Sequence, residues 1–241
     1  MPTAVVIDGA YFLRRFGFTF PYLDSREADQ VAWSVLYLAG WHLRIRHMSE
    51  PVASGDLEKG FLPSESPGLY RIFFYDCPPL TKRLHYPISR QALDLAKTDV
   101  AVTRNAIHRR LLDTRKVALR LGRLNDDVTW VPKAEAFRSW QTSGFNPRDE
   151  DFEIKATQKG VDMRLGLDVA AMAFKRQVDQ IILVAGDADF VPAAKLARRE
   201  GIDVVLDPMG GKAARDLLDH VDGVRQCRME NPPKNPKWTL A

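Results

Sequence analysis

The stretch QIILVAGDADFVPAAKLARREGIDVVL, residues 180–206, reads as a strand, a turn, a helix and a second strand in succession. Its opening run, QIILVA, is too short for a helix and almost wholly apolar, the pattern of a strand buried on both faces of a parallel sheet. Gly186, Asp187 and Asp189 then supply the residues that favour a turn and a helix start. A helix is expected over residues 192–199, stopped at Gly201, and IDVVL (202–206) returns as a strand. That order is a βαβ unit, and it places the chain in the α/β class with a mainly parallel sheet flanked by helices.

Working outward, TAVVI (3–7) is a short β-branched run that ends at Asp8-Gly9, a strand leading into a turn. LYRIFFY (69–75) is a second strand, ending at Asp76. Asp24 and Glu27 resemble a capping box, and apolar residues then recur at helical spacing to about Leu43, so a helix is expected over 27–43. Further helices are expected over 89–112 and 163–174, and strands over 117–124 and 152–156. Residues 48–68, rich in Pro, Gly, Ser and acids, read as a surface loop, and 132–153 shows no clear period. The expectation is one domain over 1–228 with an insertion at about 80–152, followed by a Pro-rich tail at 229–241.

Composition narrows the function. The 241 residues are 45% hydrophobic and 27% charged, ordinary for a folded domain. No apolar run is long enough to span a membrane, and no basic-then-apolar leader opens the chain, so no membrane partner and a cytoplasmic location are expected. Two cysteines without CxxC spacing support neither a disulfide framework nor a thiolate zinc site. The net charge of +4 is small, but residues 82–123 hold eleven basic side chains against three acids. This local excess of +8 leaves the remainder near −4, and such asymmetry can draw a polyanion to one part of the surface.

In an open parallel sheet, ligands collect just outside the C-terminal strand ends. Three expected strands finish there in acids: Asp8, Asp76, and the Asp187/Asp189 pair; Asp162 opens the helix before the last of these strands. Clustered carboxylates repel one another and any phosphate unless a hard divalent cation, Mg²⁺ or Mn²⁺, lies among them. Each acid also has a plainer reading: Asp187 or Asp189 as a helix cap, Asp8 as a turn residue, Asp162 as a helix-dipole partner. Asp168, about 120° round the helix from Asp162, is expected outside the cluster.

Four stretches resemble the NYN domains, a branch of the PIN-like nucleases, in the subgroup often called LabA-like: VVIDGAYF (5–12), RIFFYDCPP (71–79), KGVDMRLGLDVAAM (159–172) and ILVAGDADFVPAAKLARREGIDVVL (182–206). The resemblance implies a Rossmann-like PIN fold whose aspartates bind Mg²⁺ or Mn²⁺ and hydrolyse phosphodiester bonds, usually in RNA. Carried over by position, Asp8, Asp162, Asp187 and Asp189 become the catalytic and metal-binding residues, with Asp76, Tyr11 and Lys159 as secondary candidates. Many relatives have Asn where this chain has Tyr11.

The function implied is a metal-dependent ribonuclease, endonucleolytic rather than exonucleolytic, with RNA, or DNA, as partner. The alternative is a weakly active or inactive RNA-binding or regulatory module of the same fold. A haloacid-dehalogenase-type phosphatase is disfavoured because Ala10 stands where that family needs a second Asp. Lys82, Arg83, Arg104, Arg109 and Arg110 are candidates to hold the nucleic-acid backbone, and Tyr11, Phe12, Tyr86 and Trp130 candidates to stack on unpaired bases.

Overall fold

A computed structural model describes residues 2–47, 68–124, 128–156 and 158–232. In chain order the strands are β1 (Thr3–Asp8), β2 (Leu69–Asp76), β3 (Arg83–His85), β4 (Ala92–Asp94), β5 (Val117–Leu121), β6 (Arg123–Leu124), β7 (Thr129–Pro132), β8 (Phe152–Lys155), β9 (Gln158–Lys159), β10 (Gln180–Val184), β11 (Asp203–Asp207) and β12 (Gly223–Val224). The helices are α1 (Gly9–Thr19), α2 (Ala28–His47), α3 (Asp99–Leu112), α4 (Ala134–Ser143), α5 (Val161–Phe174), α6 (Val191–Arg199) and α7 (Arg215–Leu218).

Among the described residues the central sheet has six strands in the order β12-β11-β10-β1-β2-β5, every adjacent pair parallel. Counting only these strands along the chain, the spatial order is 3-2-1-4-5-6 reversed, the doubly wound arrangement of a Rossmann-like fold. The winding direction reverses between β1 and β10, which pair from Thr3↔Gln180 to Ile7↔Val184. At that reversal the connections leave in opposite directions, and a crevice opens beyond the C-terminal strand ends.

The strand alternation sorts the core into two layers. Val5 and Ile7 of β1, with Ile72 and Phe74 of β2, face α1, α2 and the buried Ile107 and Leu111 of α3. Ala4 and Val6, with Phe73 and Tyr75, face α5, α6 and α7. The fully buried Ile182 and Val184 complete the first layer.

Several local expectations need correction. No plain turn follows Asp8: its side chain caps α1 by accepting from the Tyr11 N–H. The helix was hidden because aromatic residues weaken propensity, yet Phe12, Phe16 and Phe20 recur at the four-residue spacing of one helical face. Successive ring centroids in that series lie 5.8 and 5.1 Å apart, and Phe12 reaches Phe74 of β2 at 5.8 Å. Gly9 is required at this junction, since a Cβ there would lie 2.4 Å from the Phe74 ring and 2.7 Å from the Tyr75 carbonyl oxygen.

The Asp24–Glu27 capping box is not formed; Asp24 accepts from the Arg26 backbone N–H and guanidinium instead. The helix expected over 89–112 begins only at Asp99, where Thr98 accepts from the Ala101 N–H. Upstream, Arg90 adopts a left-handed φ of 61° and turns the chain into the β3–β4 hairpin. The strand expected over 117–124 divides: β5 extends the central sheet, while β6 leaves it to pair with β9. Residues 132–153, without a readable period, hold α4 and lead into the β7–β8 ribbon.

The segment 80–152 is therefore not wholly an insertion, because α3 and β5 belong to the sheet and its covering layer. The packed chain also continues past residue 228: Met229 is buried in the core and its N–H donates to the Thr19 carbonyl. Of the expected loop 48–68, all but Gly68 lies outside the described residues, as does the tail from residue 233.

Candidate active site

Asp8 and Asp187 stand at or just beyond the C-terminal ends of the two strands, β1 and β10, that flank the switch point. Asp8 is the last residue of β1, and β10 runs beside it into Ala185, Gly186 and Asp187. Asp8 Oδ1 accepts from the Tyr11 N–H at 3.1 Å, and Asp187 Oδ1 accepts from the Asp189 N–H at 3.3 Å. Each carboxylate is thus turned by the start of the helix it caps. Asp162 lies in the first turn of α5 and is exposed, as are Asp187 and Asp189.

Asp162 interacts with each of the other three. Burial raises the Asp8 pKa above the ordinary carboxylate value; the Tyr11 and Ala10 N–H groups lower it in part, and the charge of Asp162 adds to the rise. Desolvation likewise raises Asp162, with Asp189 and Asp187 contributing repulsion. Among the described residues none of the four forms an ion pair, and no three His, Cys, Asp or Glu side chains converge into a ready-made metal cage. They are an open, oxygen-only set. That donor chemistry suits Mg²⁺ or Mn²⁺, which keep several water ligands and need few carboxylates.

The other acids near this crevice are already matched. Asp76 Oδ2 receives Arg104 Nη1 at 2.6 Å and His108 Nε2 at 2.8 Å. Burial alone would raise the Asp76 pKa, but these two partners outweigh it and hold the carboxyl below its usual range. Asp76 therefore ties α3 to the end of β2 and is not an open member of the acidic set. Asp168 Oδ2 receives the Tyr75 hydroxyl at 2.8 Å and Arg120 Nε at 3.0 Å, in keeping with its expected place outside the cluster.

Asp76→Ala would leave the Arg104 guanidinium and the buried His108 ring without their acceptor. Breaking such a pair costs about 3–5 kcal/mol in a dry interior. Arg104 keeps 26% of its side chain exposed, so the expected loss is about 2–3 kcal/mol in urea unfolding at neutral pH. Because the folded carboxyl is held low, that stability is present above the unfolded value of about 3.9 and fades as pH falls through the folded one. The deficit of the variant should shrink accordingly in acid.

Tyr11 is not available to a ligand. It is 7% exposed, its hydroxyl donates to the Pro208 carbonyl at 2.7 Å, and a Cβ on Gly186 would sit 2.5 Å from its ring. It wedges the start of α1 against the turns that follow β10 and β11, which fixes the backbone N–H that orients Asp8. Phe12 is fully buried, so neither aromatic can stack on a base. The backbone of Lys159 pairs with Arg123; its side chain lies outside the described residues.

The candidate backbone-binding cations divide as well. Arg104 is bound to Asp76, Arg110 Nε donates to Asp29, and Arg83 pairs with Asp94 at 3.4 Å while staying 85% exposed. Arg109 is exposed on α3, and Lys82 is exposed just before β3. Sequence reasoning missed His108 and the cavity of about 500 Å³ beside Ala10 and Asp76, bounded by Tyr86, Leu95, Arg104 and Trp130. The i, i+4 spacing of Arg104 and His108 was a usable signal for the first; the second is assembled from separate segments and had none.

With this geometry established, residues 98–225 match the NYN domain family, more than half of the chain. The chain belongs to the NYN domain family. NYN domains form a PIN-like nuclease family whose members act on nucleic acid and generally depend on divalent metal. The matched region contains Asp162, Asp187 and Asp189; β1 with Asp8 and β2 with Asp76 lie upstream of it and complete the same sheet. The chain is also 30% identical over 76 residues to an uncharacterized protein of Methanocaldococcus jannaschii, a match that covers 30% of this chain and 32% of the relative. The chain thus spans about a third of that relative's length. No solved structure matches it. Among the described residues no helix is long and apolar enough to cross a membrane.

Proposed function

We propose that this NYN protein is a metal-dependent ribonuclease that hydrolyses RNA phosphodiester bonds internally, with Asp8, Asp162, Asp187 and Asp189 holding Mg²⁺ or Mn²⁺. The observation that carries this reading is a contrast in pairing. Asp76, Asp168 and Asp207 each have a hydrogen-bonding or cationic side-chain partner, whereas among the described residues Asp8 and Asp187 accept only from backbone N–H groups and none of the four acids forms an ion pair. Carboxylates whose pKa is raised by burial and by one another at a crevice mark a candidate functional site.

A divalent cation held there would offset the carboxylate repulsion, polarise a phosphoryl oxygen and acidify a water that attacks phosphorus. The chain's own part is positional. Asp8 and Asp187 are oriented by the N–H groups of Tyr11 and Asp189, so their oxygens are set before any ligand arrives. Asp162, exposed at the start of α5, and Asp189 complete the acidic rim and can accept a proton or hydrogen bond from an approaching water. The exposed cations Arg83 and Arg109 belong to the basic segment that leaves the sheet beside this site, where they can hold phosphates of the strand.

Purified protein with Mn²⁺ or Mg²⁺ should cut a single-stranded RNA at internal positions, and EDTA should stop it. Asp187→Asn keeps the capping acceptor but removes the charge, and should reduce cleavage by about 100-fold or more. Cleavage indifferent to both EDTA and Asp187→Asn would refute the proposed chemistry.

A further inference from the structure

The cavity beside the acidic site has a chemistry of its own. It encloses about 500 Å³, within the range of pockets that hold small planar ligands. One end reaches Ala10, two residues after Asp8, and Asp76, at the end of the strand that pairs with β1. Its far walls come from the β3–β4 hairpin region and the β7–β8 ribbon, through Tyr86, Leu93, Trp130 and Ile154.

The aromatic pair is fixed in advance. Tyr86 and Trp130 have ring centroids 5.6 Å apart with planes inclined at 31°, and Trp130 Nε1 donates to the His85 carbonyl at 3.0 Å. That bond ties the ribbon to the hairpin and sets the indole plane, so little rotamer freedom remains to be lost when a flat ligand arrives. Arg104 is the cation that faces this space, and the one acid among its walls, Asp76, is neutralised by that residue and His108. Around the cavity the chain segment is strongly basic.

From these features we infer that the cavity receives an unpaired nucleobase of the strand whose phosphate lies at the acidic site, and so selects single-stranded over double-stranded nucleic acid. The inference rests on the ribonuclease reading for the identity of the strand. Apolar walls and a rigid aromatic pair suit a base, the basic surroundings suit a polyanion, and a paired base cannot leave its duplex to enter without unstacking. Stacking tolerates every base, so the pocket selects for strandedness before sequence.

The test is binding of the full chain in EDTA, at fixed ionic strength, to three probes: a single-stranded RNA, an abasic sugar-phosphate strand of the same length, and an RNA duplex. The intact strand should bind about 5- to 150-fold more tightly than the abasic strand, the worth of one stacked base. Trp130→Ala with Tyr86→Ala should erase that advantage, Trp130→Phe should keep most of it, and affinity for the abasic strand and the duplex should not change. Equal binding of intact and abasic strands by the wild-type protein, or an advantage that survives in the folded double variant, overturns the inference while leaving the ribonuclease reading in place. Failure to bind any of the three overturns the inference; the ribonuclease reading, in which a cation offsets the carboxylates, stands or falls separately on cleavage with Mn²⁺. A 4-thiouridine strand cross-linked to the wild-type protein gives an answer without substitutions: attachment at the peptides carrying Tyr86 or Trp130 supports the pocket, and attachment confined to other peptides refutes it.

Discussion

Asp8→Asn should abolish most RNA cleavage and, in the absence of metal, make the protein more stable. The two effects have one origin. Burial and the neighbouring Asp162 charge raise the Asp8 pKa, so the folded state holds its ionised form at a cost. A carboxyl whose folded pKa is raised favours folding fully below its unfolded value of about 3.9, and that contribution disappears as pH rises through the folded pKa. At neutral pH the ionised group therefore subtracts from stability. Asparagine caps a helix about as well as aspartate, so the bond from the Tyr11 N–H survives the change and only the charge is lost.

The variant should thus melt at a higher temperature than the wild type at pH 7, by about 2–4 °C for each kcal/mol recovered in a chain of this size. The difference between the two should shrink as pH falls toward 4. Added Mn²⁺ should raise the melting temperature of the wild type and leave the variant nearly unmoved. On the proposed chemistry, loss of one carboxylate that holds the cation should lower cleavage by about 100- to 1000-fold. Scanning calorimetry across pH, beside a cleavage assay, reads both halves. A variant that is less stable than the wild type at neutral pH would remove the argument that Asp8 is kept for its charge.

The largest loss of stability is expected at a different acid. Asp207, at the end of β11, is fully buried and accepts from His42 Nε2 at 2.8 Å, the Met209 N–H at 2.8 Å and the Cys227 N–H at 3.1 Å. It joins α2, the turn after β11 and the returning C-terminal segment in a single carboxylate. Asp207→Ala would strand three donors in a dry interior, each worth about 1–3 kcal/mol when left unsatisfied. Among the described residues His42 Nδ1 has no partner, so the ring has no second bond there to fall back on. The expected cost is about 3–5 kcal/mol, a large share of the 5–15 kcal/mol that a domain usually has. Urea unfolding should show the midpoint falling steeply. Release of residues 225–229 should appear as fast hydrogen exchange at the Met229 N–H, which otherwise donates to Thr19. A loss below about 1 kcal/mol would mean that the pocket relaxes and the three bonds are separable.

How far the sequence discloses this protein differs between its layers. The sheet interior is legible because β1 and β10 are short apolar runs bounded by turn residues, and residues 180–206 alone state the βαβ order. α1 is not, since its helical signal lies in three phenylalanines four apart, masked by Gly9 and Gly17. The start of α3 was misread because apolar residues continue upstream of Thr98 at a spacing that fits a helix, although the left-handed Arg90 breaks it. Within the site, Asp8, Asp162, Asp187 and Asp189 could be singled out because each ends a strand or begins a helix. The fate of Asp76 could not, as it depends on Arg104 and His108 arriving from α3. Nor could the burial of Tyr11, which is set by Gly186 and Pro208, far along the chain.

The central claim is that the four carboxylates of Asp8, Asp162, Asp187 and Asp189, which form no ion pair among the described residues, are a cation site. Electron paramagnetic resonance of Mn²⁺ added to the EDTA-stripped protein measures it directly, because bound Mn²⁺ loses the sharp signal of the free ion. The account predicts saturable binding by the wild type, undiminished by Asp168→Asn, and lost in both Asp8→Asn and Asp187→Asn. Free Mn²⁺ persisting at millimolar concentration over the wild-type protein, or binding unchanged in those two variants, would contradict it.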